Sequence, residues 1–569
     1  MKRRDFVKSL GITGALVPLA PGFTRAQQIG DLIKPDDPLL MGPAHRTVWG
    51  RNGAVAAADI QGSLAGMKML ARGGNAIDAI VATAAALNVV EPYMSGMGGF
   101  GGYMMIYLAK ERKVVCLDHM GLSPKAVSAQ NMTERDFDEG YKSPIVPGSI
   151  GGWAEALSRY GTMSLGDVFE PAIDLAENGF VVTEYDAQSF AGSAKKLAQF
   201  PTTASIFLPG GQAPREGQVV VQKALAATFR KVAREGAQTF YTGEIAQKIV
   251  RFLQANGGLL TMEDFAAWKP RWRDPISTTF QGYTLYGPQP GSCAMTMFQV
   301  LNVLDGLDLK NLSPYSVEFA HHWIEAMKLA FVDDDAYNTG RDAEIPVARL
   351  VSKEYAAEQR QKIRARQATA RLLPVLDTVG TTSFSAADKW GNIVAFTQSL
   401  VSGFGCGVAA ADTGVLLNNG HRYGFVLEAN HVNALTGRQH PKGVMSPTIV
   451  VKDGQGRFGI GASGGYTIPQ TVGQVIAKVL AFDMDVQHAI ASPRIMINRP
   501  AGRVPLLGQS QTYADPNYPA ATLAGLRTLG HVFSEPGNAG AVQGVGVHPT
   551  AGTLCAGSDP RRDGHPIAF

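Results

Sequence analysis

After residue 26 no apolar run approaches the roughly 20 residues a bilayer-crossing helix needs, so no membrane span is predicted. No Cys-x-x-Cys pair occurs either. Cys116, Cys293, Cys406 and Cys555 lie far apart, and neither a zinc site nor a redox motif is expected. An oxidising compartment would permit disulfides, but this spacing defines no framework. Charge is scarce, at 18% of residues, and a net +4 over 569 residues leaves no nucleic-acid footprint. Repeats and low-complexity tracts are absent. What is present is 45% hydrophobic residues with 65 Gly and 32 Pro, a compact chain rich in turns. Disordered, collagenous and coiled-coil classes are excluded. The length predicts a large core, in two to four ordinary domains or one large layered one.

The few charges are unevenly placed. Lys2, Arg3, Arg4, Lys8 and Arg25 against Asp5 give the first 26 residues the whole net charge of the chain, leaving the remainder formally neutral. An apolar stretch from Leu10 to Phe23 follows the basic start, and Thr24-Arg25-Ala26 offers a cleavage site. This is the pattern of an export signal. Arg3-Arg4-Asp5-Phe6-Val7-Lys8 matches the twin-arginine form, which predicts export of the folded protein to the periplasm by the twin-arginine machinery.

Beyond it, a strand (54–59), a helix (63–72), a second helix (76–90), a glycine loop and a strand (103–108) are expected, with Asn75 capping the second helix. A long helical middle spans about 151–372, its last part (352–371) charged and helical, before an extended linker up to Gly380. Short β runs follow, then a helix near 469–482. The adjacent His321 and His322 point to different faces of a helix, which favours packing and surface roles over shared metal ligation.

Three motifs compete for the chemistry. Gly96-Met97-Gly98-Gly99-Phe100-Gly101 spells a dinucleotide fingerprint, but a helix precedes it and a strand follows, the reverse of what phosphate binding requires. Gly461-Ala462-Ser463-Gly464-Gly465 spells a nucleophile elbow between strand and helix, without an identifiable acid and base. The alternative is that the Gly464 and Gly465 amides hold an oxyanion. The third is a hairpin, 381–388 and 392–399, closed by Lys389-Trp390-Gly391. If Asp388 faces Asn392, Thr381 faces Ser399 and two hydroxyls meet at the open end. A one-residue slip would part them.

The chain resembles the gamma-glutamyltranspeptidase family of N-terminal-nucleophile hydrolases over nearly its whole mature length. The resemblance rests on Gly73-Gly74-Asn75-Ala76-Ile77-Asp78-Ala79, Val90-Glu91-Pro92, the Gly96–Gly102 loop, and Val146-Pro147-Gly148 with Gly152-Trp153. It continues through Thr381-Thr382-Ser383-Phe384-Ser385, Asp388, Gly391-Asn392, Met445-Ser446-Pro447-Thr448 and Gly464-Gly465. It implies an α+β, four-layer αββα sandwich and a precursor cut between Gly380 and Thr381. Residues 1–26 would be the signal, 27–380 a large, mostly helical subunit, and 381–569 a small subunit. Catalytic roles fall on Thr381 as nucleophile, Ser399 as its hydroxyl partner, and Gly464 and Gly465 as oxyanion donors. No metal or cofactor is implied. The new α-amino group would titrate near pH 8 and accept the Thr381 proton.

The departures concern the substrate. Where the family has a glutamyl-binding Arg, this chain reads Asp118-His119-Met120-Gly121-Leu122. Val401, Gly420, Tyr423 and Gly443-Val444 replace the family's other polar partners of the glutamyl end. Gln398-Ser399, Gly424-Phe425-x-Leu427, His431-x-Asn433-Ala434-Leu435 and Gly437 are similar to an amidohydrolase branch that includes oxamate amidohydrolase. The expected substrate is a small amide or peptide-like molecule with an acyl group other than glutamate. Asn419, Arg422, Tyr423 and Lys442 are the candidate substrate-binding residues, with Arg422 and Lys442 as possible anion partners. A true gamma-glutamyltranspeptidase or glutathione hydrolase, and a catalytically silent periplasmic binding protein of the same fold, are the competing readings.

Overall fold

The computed structural model describes residues 46–370, 380–498, 511–534 and 540–569. The export signal and the linker up to residue 379 therefore lie outside the described residues. Two seven-stranded sheets dominate. The first runs, edge to edge, His565–Ala568, Gly53–Ala57, Thr381–Asp388, Ile393–Ser399, Gly101–Leu108, Lys113–Asp118 and Arg271–Arg273. The second runs Val48–Gly50, Leu554–Ser558, Ala541–Val547, Gln455–Ser463, Thr448–Lys452, Tyr283–Gly287 and Ile276–Phe280.

Side-chain alternation along these strands builds three apolar interfaces and hence four layers. Val55 and Ala57 join Phe384, Val394, Phe396 and the Ala76–Val90 helix in one cluster. Ala54 and Ala56, pointing the other way, join Ile393 and Ala395 against Ile449, Val451 and Val545 of the second sheet. Val450, Ile460 and Val542 leave that sheet's far face to meet Phe298, Trp323 and Val472 on a second helical layer. Because both faces of the central strands are covered, all eight residues of Thr381–Asp388 are buried. The Ala76–Val90 helix is buried along its full length for the same reason.

The expected N-terminal elements are present. Asn75 accepts from the Ile77 and Asp78 amides while Asp78 accepts from the Asn75 amide, a complete capping box. Two expectations need correction. The middle of the chain is not continuously helical: Arg271–Arg273, Ile276–Phe280 and Tyr283–Gly287 are strands, the last two forming the edge of the second sheet. The helix expected over 352–371 is Lys353–Gln361 only. Beyond it tertiary bonds claim the backbone: His321 bonds the Arg364 carbonyl, Lys328 the Thr369 carbonyl, and Glu325 the Thr369 amide. Good helix formers yield there to partners distant in sequence.

Candidate active site

The hairpin forms because Asp388 organises its turn. Its carboxylate accepts from the Trp390 and Asn392 amides, each at 3.0 Å, and from the Ala76 amide at 2.9 Å, tying the turn to a helix N-terminus. Gly391 takes the left-handed conformation that ends the loop. The register then places Thr381 opposite Ser399, as the hairpin spacing requires. Thr381 Oγ1 lies 3.0 Å from Ser399 Oγ.

Ser399 Oγ accepts from the Val401 amide at 2.8 Å and donates to the Gly380 carbonyl. A hydroxyl has one proton. With that proton on Gly380, the contact with Thr381 must be a donation from Thr381, which turns the Thr381 lone pairs away from Ser399. Gly380 sits at φ 72, and a Cβ there would come within 2.5 Å of the Ser402 backbone, so nothing larger fits. Val401, a β-branched residue at φ 88, holds the strained bend that follows Ser399.

The Gln455–Ser463 strand crosses this hairpin on the facing sheet. A Cβ on Gly459 would strike Ile393 Cγ2 at 2.5 Å; one on Gly461 would strike Ser383 Oγ at 2.3 Å and Thr397 Oγ1 at 2.8 Å. The two strands thus advance together toward the end that carries Thr381 and Ser399. Ser463 ends that strand, and Gly464 and Gly465 follow it directly. Gly464 and Gly465 have φ values of 128 and 63, and the helix Ile468–Ala481 begins just beyond them. Such a turn aims successive amides into one concavity. Ser463 itself is buried within its strand, its hydroxyl facing the Ala541 carbonyl at 3.5 Å.

The four candidate substrate residues divide into two groups. Asn419 is buried and supports the bend after Ser399: it accepts from the Ser402 amide and donates to the Ser402 hydroxyl, each at 2.9 Å. Arg422 pairs with Asp138. Tyr423 and Lys442 converge instead on Tyr466, next to the glycine pair. The two tyrosine rings are 6.1 Å apart, and Lys442 Nζ lies 5.5 Å from the Tyr466 ring. Lys442 is buried and bound to Asp334 at 2.6 Å. Burial alone would lower its pKa, but the Asp334 carboxylate outweighs that and holds it above the usual lysine range. Asp334 also accepts from Thr296 and Asn338. Replacing Asp334 with Ala should cost about 3–5 kcal/mol by stranding a buried ammonium. Urea unfolding would measure it, and a loss below about 1 kcal/mol would contradict the pairing.

Around Val401 and Tyr423 the surroundings are apolar: Phe100, Tyr103, Met120, Ile145 and Met445 share one cluster with them. Asp118, in the stretch that lacks a glutamyl-binding Arg, accepts from Arg271 at 2.5 Å, with Arg273 at 3.6 Å. Tyr466, Asp334 and Arg271 carried no local sequence signal; distant segments bring them in. Among the described residues one buried trio, His321, Glu325 and His531, offers clustered metal-ligand atoms. Lys328 sits 2.7 Å from Glu325, placing a positive charge where a cation would go. His321 does not share this cluster with His322.

Two sheets face to face between helical layers, with a hydroxyl at the first residue of a buried central strand, define an N-terminal-nucleophile hydrolase. The chain belongs to the gamma-glutamyltranspeptidase family, whose model, described as Gamma-glutamyltranspeptidase, matches residues 62–569. It is therefore an enzyme of the hydrolase and transferase kind. It is 35% identical to a glutathione hydrolase-like YwrD proenzyme of Bacillus subtilis (strain 168), over 92% of this chain and 100% of that one. It is 34% identical to an acylase ACY 1 proenzyme of Pseudomonas sp. (strain V22), over 91% of this chain and 94% of that one. The fold is similar to the crystal structure of a cephalosporin acylase from Bacillus halodurans: TM-score 0.85, 31% identity, 94% of this chain and 99% of that one.

Proposed function

We propose that the protein is a precursor that cuts itself between Gly380 and Thr381 and then cleaves amides whose acyl group is not a glutamyl. The observation that carries this is the Thr381–Ser399–Gly380 chain of hydrogen bonds. Ser399 polarises the Gly380 carbonyl while Thr381 Oγ1 stands beside it. Attack forms the Oγ–C bond, breaks the C–N bond, and moves the hydroxyl proton to the departing nitrogen. Water then releases the Gly380 carboxylate and leaves Thr381 with a free α-amine. In the two-chain enzyme that amine takes the Thr381 proton as Oγ1 attacks a substrate carbonyl. The Gly464 and Gly465 amides receive the negative charge on the oxygen, and water completes the cycle. None of these steps calls on a metal or cofactor.

The acyl preference rests on charge. A glutamyl end carries an ammonium and a carboxylate, each needing a partner once out of water. Here Met120, Val401 and Tyr423 belong to one largely apolar cluster, and both candidate cations, Arg422 and Lys442, already face carboxylates. The acylases among the similar proteins agree with this reading. The expected outcome is that a γ-glutamyl anilide is hydrolysed about a hundredfold more slowly, or worse, than an anilide with an uncharged acyl group. Release of the aniline measures both; equal kcat/KM values would return the protein to the glutathione-hydrolase reading. A silent binding protein is disfavoured because Thr381, Ser399 and the glycine pair are all retained in the sequence. The twin-arginine pattern supports export to the periplasm, and among the described residues no helix is long and apolar enough to cross a membrane.

A further inference from the structure

One buried acid beside the reacting residues has no part in this mechanism. Glu91, the first residue beyond the Ala76–Val90 helix, is only 2% exposed, and its Oε2 accepts from Thr382 Oγ1 at 2.7 Å. The bond falls one residue from Thr381. Two further ties leave the same short segment. The Leu400 amide donates to the Met94 carbonyl at 3.0 Å, and Gln398 Nε2 donates to Ser95 Oγ at 3.3 Å. Gln398 is itself held by Trp153, whose Nε1 donates to its Oε1 at 2.7 Å. Thr382 and Gln398 are cross-strand partners, on the rung next to Thr381 and Ser399. Residues 91–95 are therefore fastened to both strands of the hairpin beside the two hydroxyls.

We propose that this segment is a clamp that sets the Thr381–Ser399 separation, with Glu91 a positioning residue that acts through Thr382. The proposal rests on the reading of Thr381 as nucleophile. Successive side chains on a strand point to opposite faces, so Glu91 grips the strand from the side away from Thr381 Oγ1 and does not reach the acyl group. A nucleophile displaced by a fraction of an ångström loses its near-attack geometry, and that loss appears in rate before it appears in binding.

The surroundings decide which substitution is conservative. Burial pushes the Glu91 pKa up to about 8; the Thr382 bond opposes the rise, Asp59 adds to it, Arg562 opposes it and Asp186 adds to it. Asp59, itself pushed up by burial to about 7, and Asp186, which accepts from Tyr93 at 2.6 Å, are the acids that act on it. Arg562 rests over the Tyr185 ring at 5.4 Å, and Asp563 accepts from Thr183 at 2.7 Å. At neutral pH Glu91 is thus mostly the uncharged acid, and Gln reproduces both its charge and its acceptor.

The test follows conversion of the full-length chain from one band to two after synthesis, then kcat and KM of the matured enzyme on an anilide. Glu91→Ala and Thr382→Val should each slow self-cutting by about tenfold or more and lower kcat with KM unchanged. The double variant should be no slower than the worse single one, and Glu91→Gln should stay within about twofold of the parent. Additive effects, a change in KM alone, or a Thr382→Val protein that cuts at the parent rate would overturn the clamp. If Glu91→Ala does not fold, Thr382→Val and Glu91→Gln still decide the matter. Thr381→Ala runs alongside: a chain that still splits without Thr381 overturns the nucleophile reading, whereas an uncut Thr381→Ala beside a normal Thr382→Val overturns the clamp alone.

Discussion

Thr381→Ala should stay a single chain indefinitely and lose amidase activity by at least about 10³-fold. Both losses have one cause, since the same oxygen would cut the precursor and attack the substrate. The surrounding structure should survive, because Thr381 lies at the end of a strand whose remaining rungs, Thr382 to Ala387, stay paired with Ile393 to Gln398. Thr381→Ser retains a hydroxyl, now primary, and should still cut, more slowly, since the methyl that restricts rotation about the Cα–Cβ bond is gone. A denaturing gel and mass spectrometry of the new N-terminus read the result. A Thr381→Ala protein that splits after Gly380 would sink the mechanism, and one that splits elsewhere would move the site.

The second large effect should come from Gly464→Ala. The position has φ 128, and an added Cβ would lie 2.4 Å from Thr467 Oγ1 and 2.8 Å from Gly540 Cα. The turn must shift, and the amides it aims move with it. Losing one well-placed oxyanion donor costs about 10²–10³ in kcat, so a loss of that size is expected, with KM little changed. Backbone strain alone must be separated from this. Gly552 supplies the control: its φ is 68, and a Cβ there meets nothing within 4 Å. Gly552→Ala should lose some stability and no activity. If both variants lose activity equally, the role given to Gly464 is wrong.

The parts of this molecule that were legible in its sequence are those decided by neighbours along the chain. The hairpin register follows from a three-residue turn closed by Asp388 and Gly391, and counting back from it brings Thr381 to Ser399. The Asn75 cap and the helix after it are local in the same way. The short strands from Arg271 to Gly287 are hard to read because they sit among helices and complete the edges of two different sheets, whose other members lie far away along the chain. Ile276-x-Thr278-x-Phe280 does alternate, buried and exposed, and that period of two was the available signal. The stretch after Gln361 differs for the opposite reason: its residues favour a helix, yet its backbone runs in turns whose groups bond His321, Glu325 and Lys328. Asp334 beside Lys442, and Glu91 beneath Thr382, are contacts across 108 and 291 residues, for which one sequence holds no local cue. Lys442 reads as a free cation in sequence and is a neutralised one in the fold.

The sheets also bear on what a cut molecule can do. In one, Thr381–Asp388 and Ile393–Ser399 lie between Gly53–Ala57 and Gly101–Leu108; in the other, the strands from Thr448 to Ser558 are bordered by Val48–Gly50 on one side and Tyr283–Gly287 on the other. A break after Gly380 would therefore divide the covalent chain without dividing either sheet. Separating the fragments would mean tearing inner strands from both, so dissociation and unfolding become a single event. Exchange of halves between two such molecules should therefore be as slow as unfolding itself. Once cut, the protein's lifetime is a matter of rate, with no route back through the precursor.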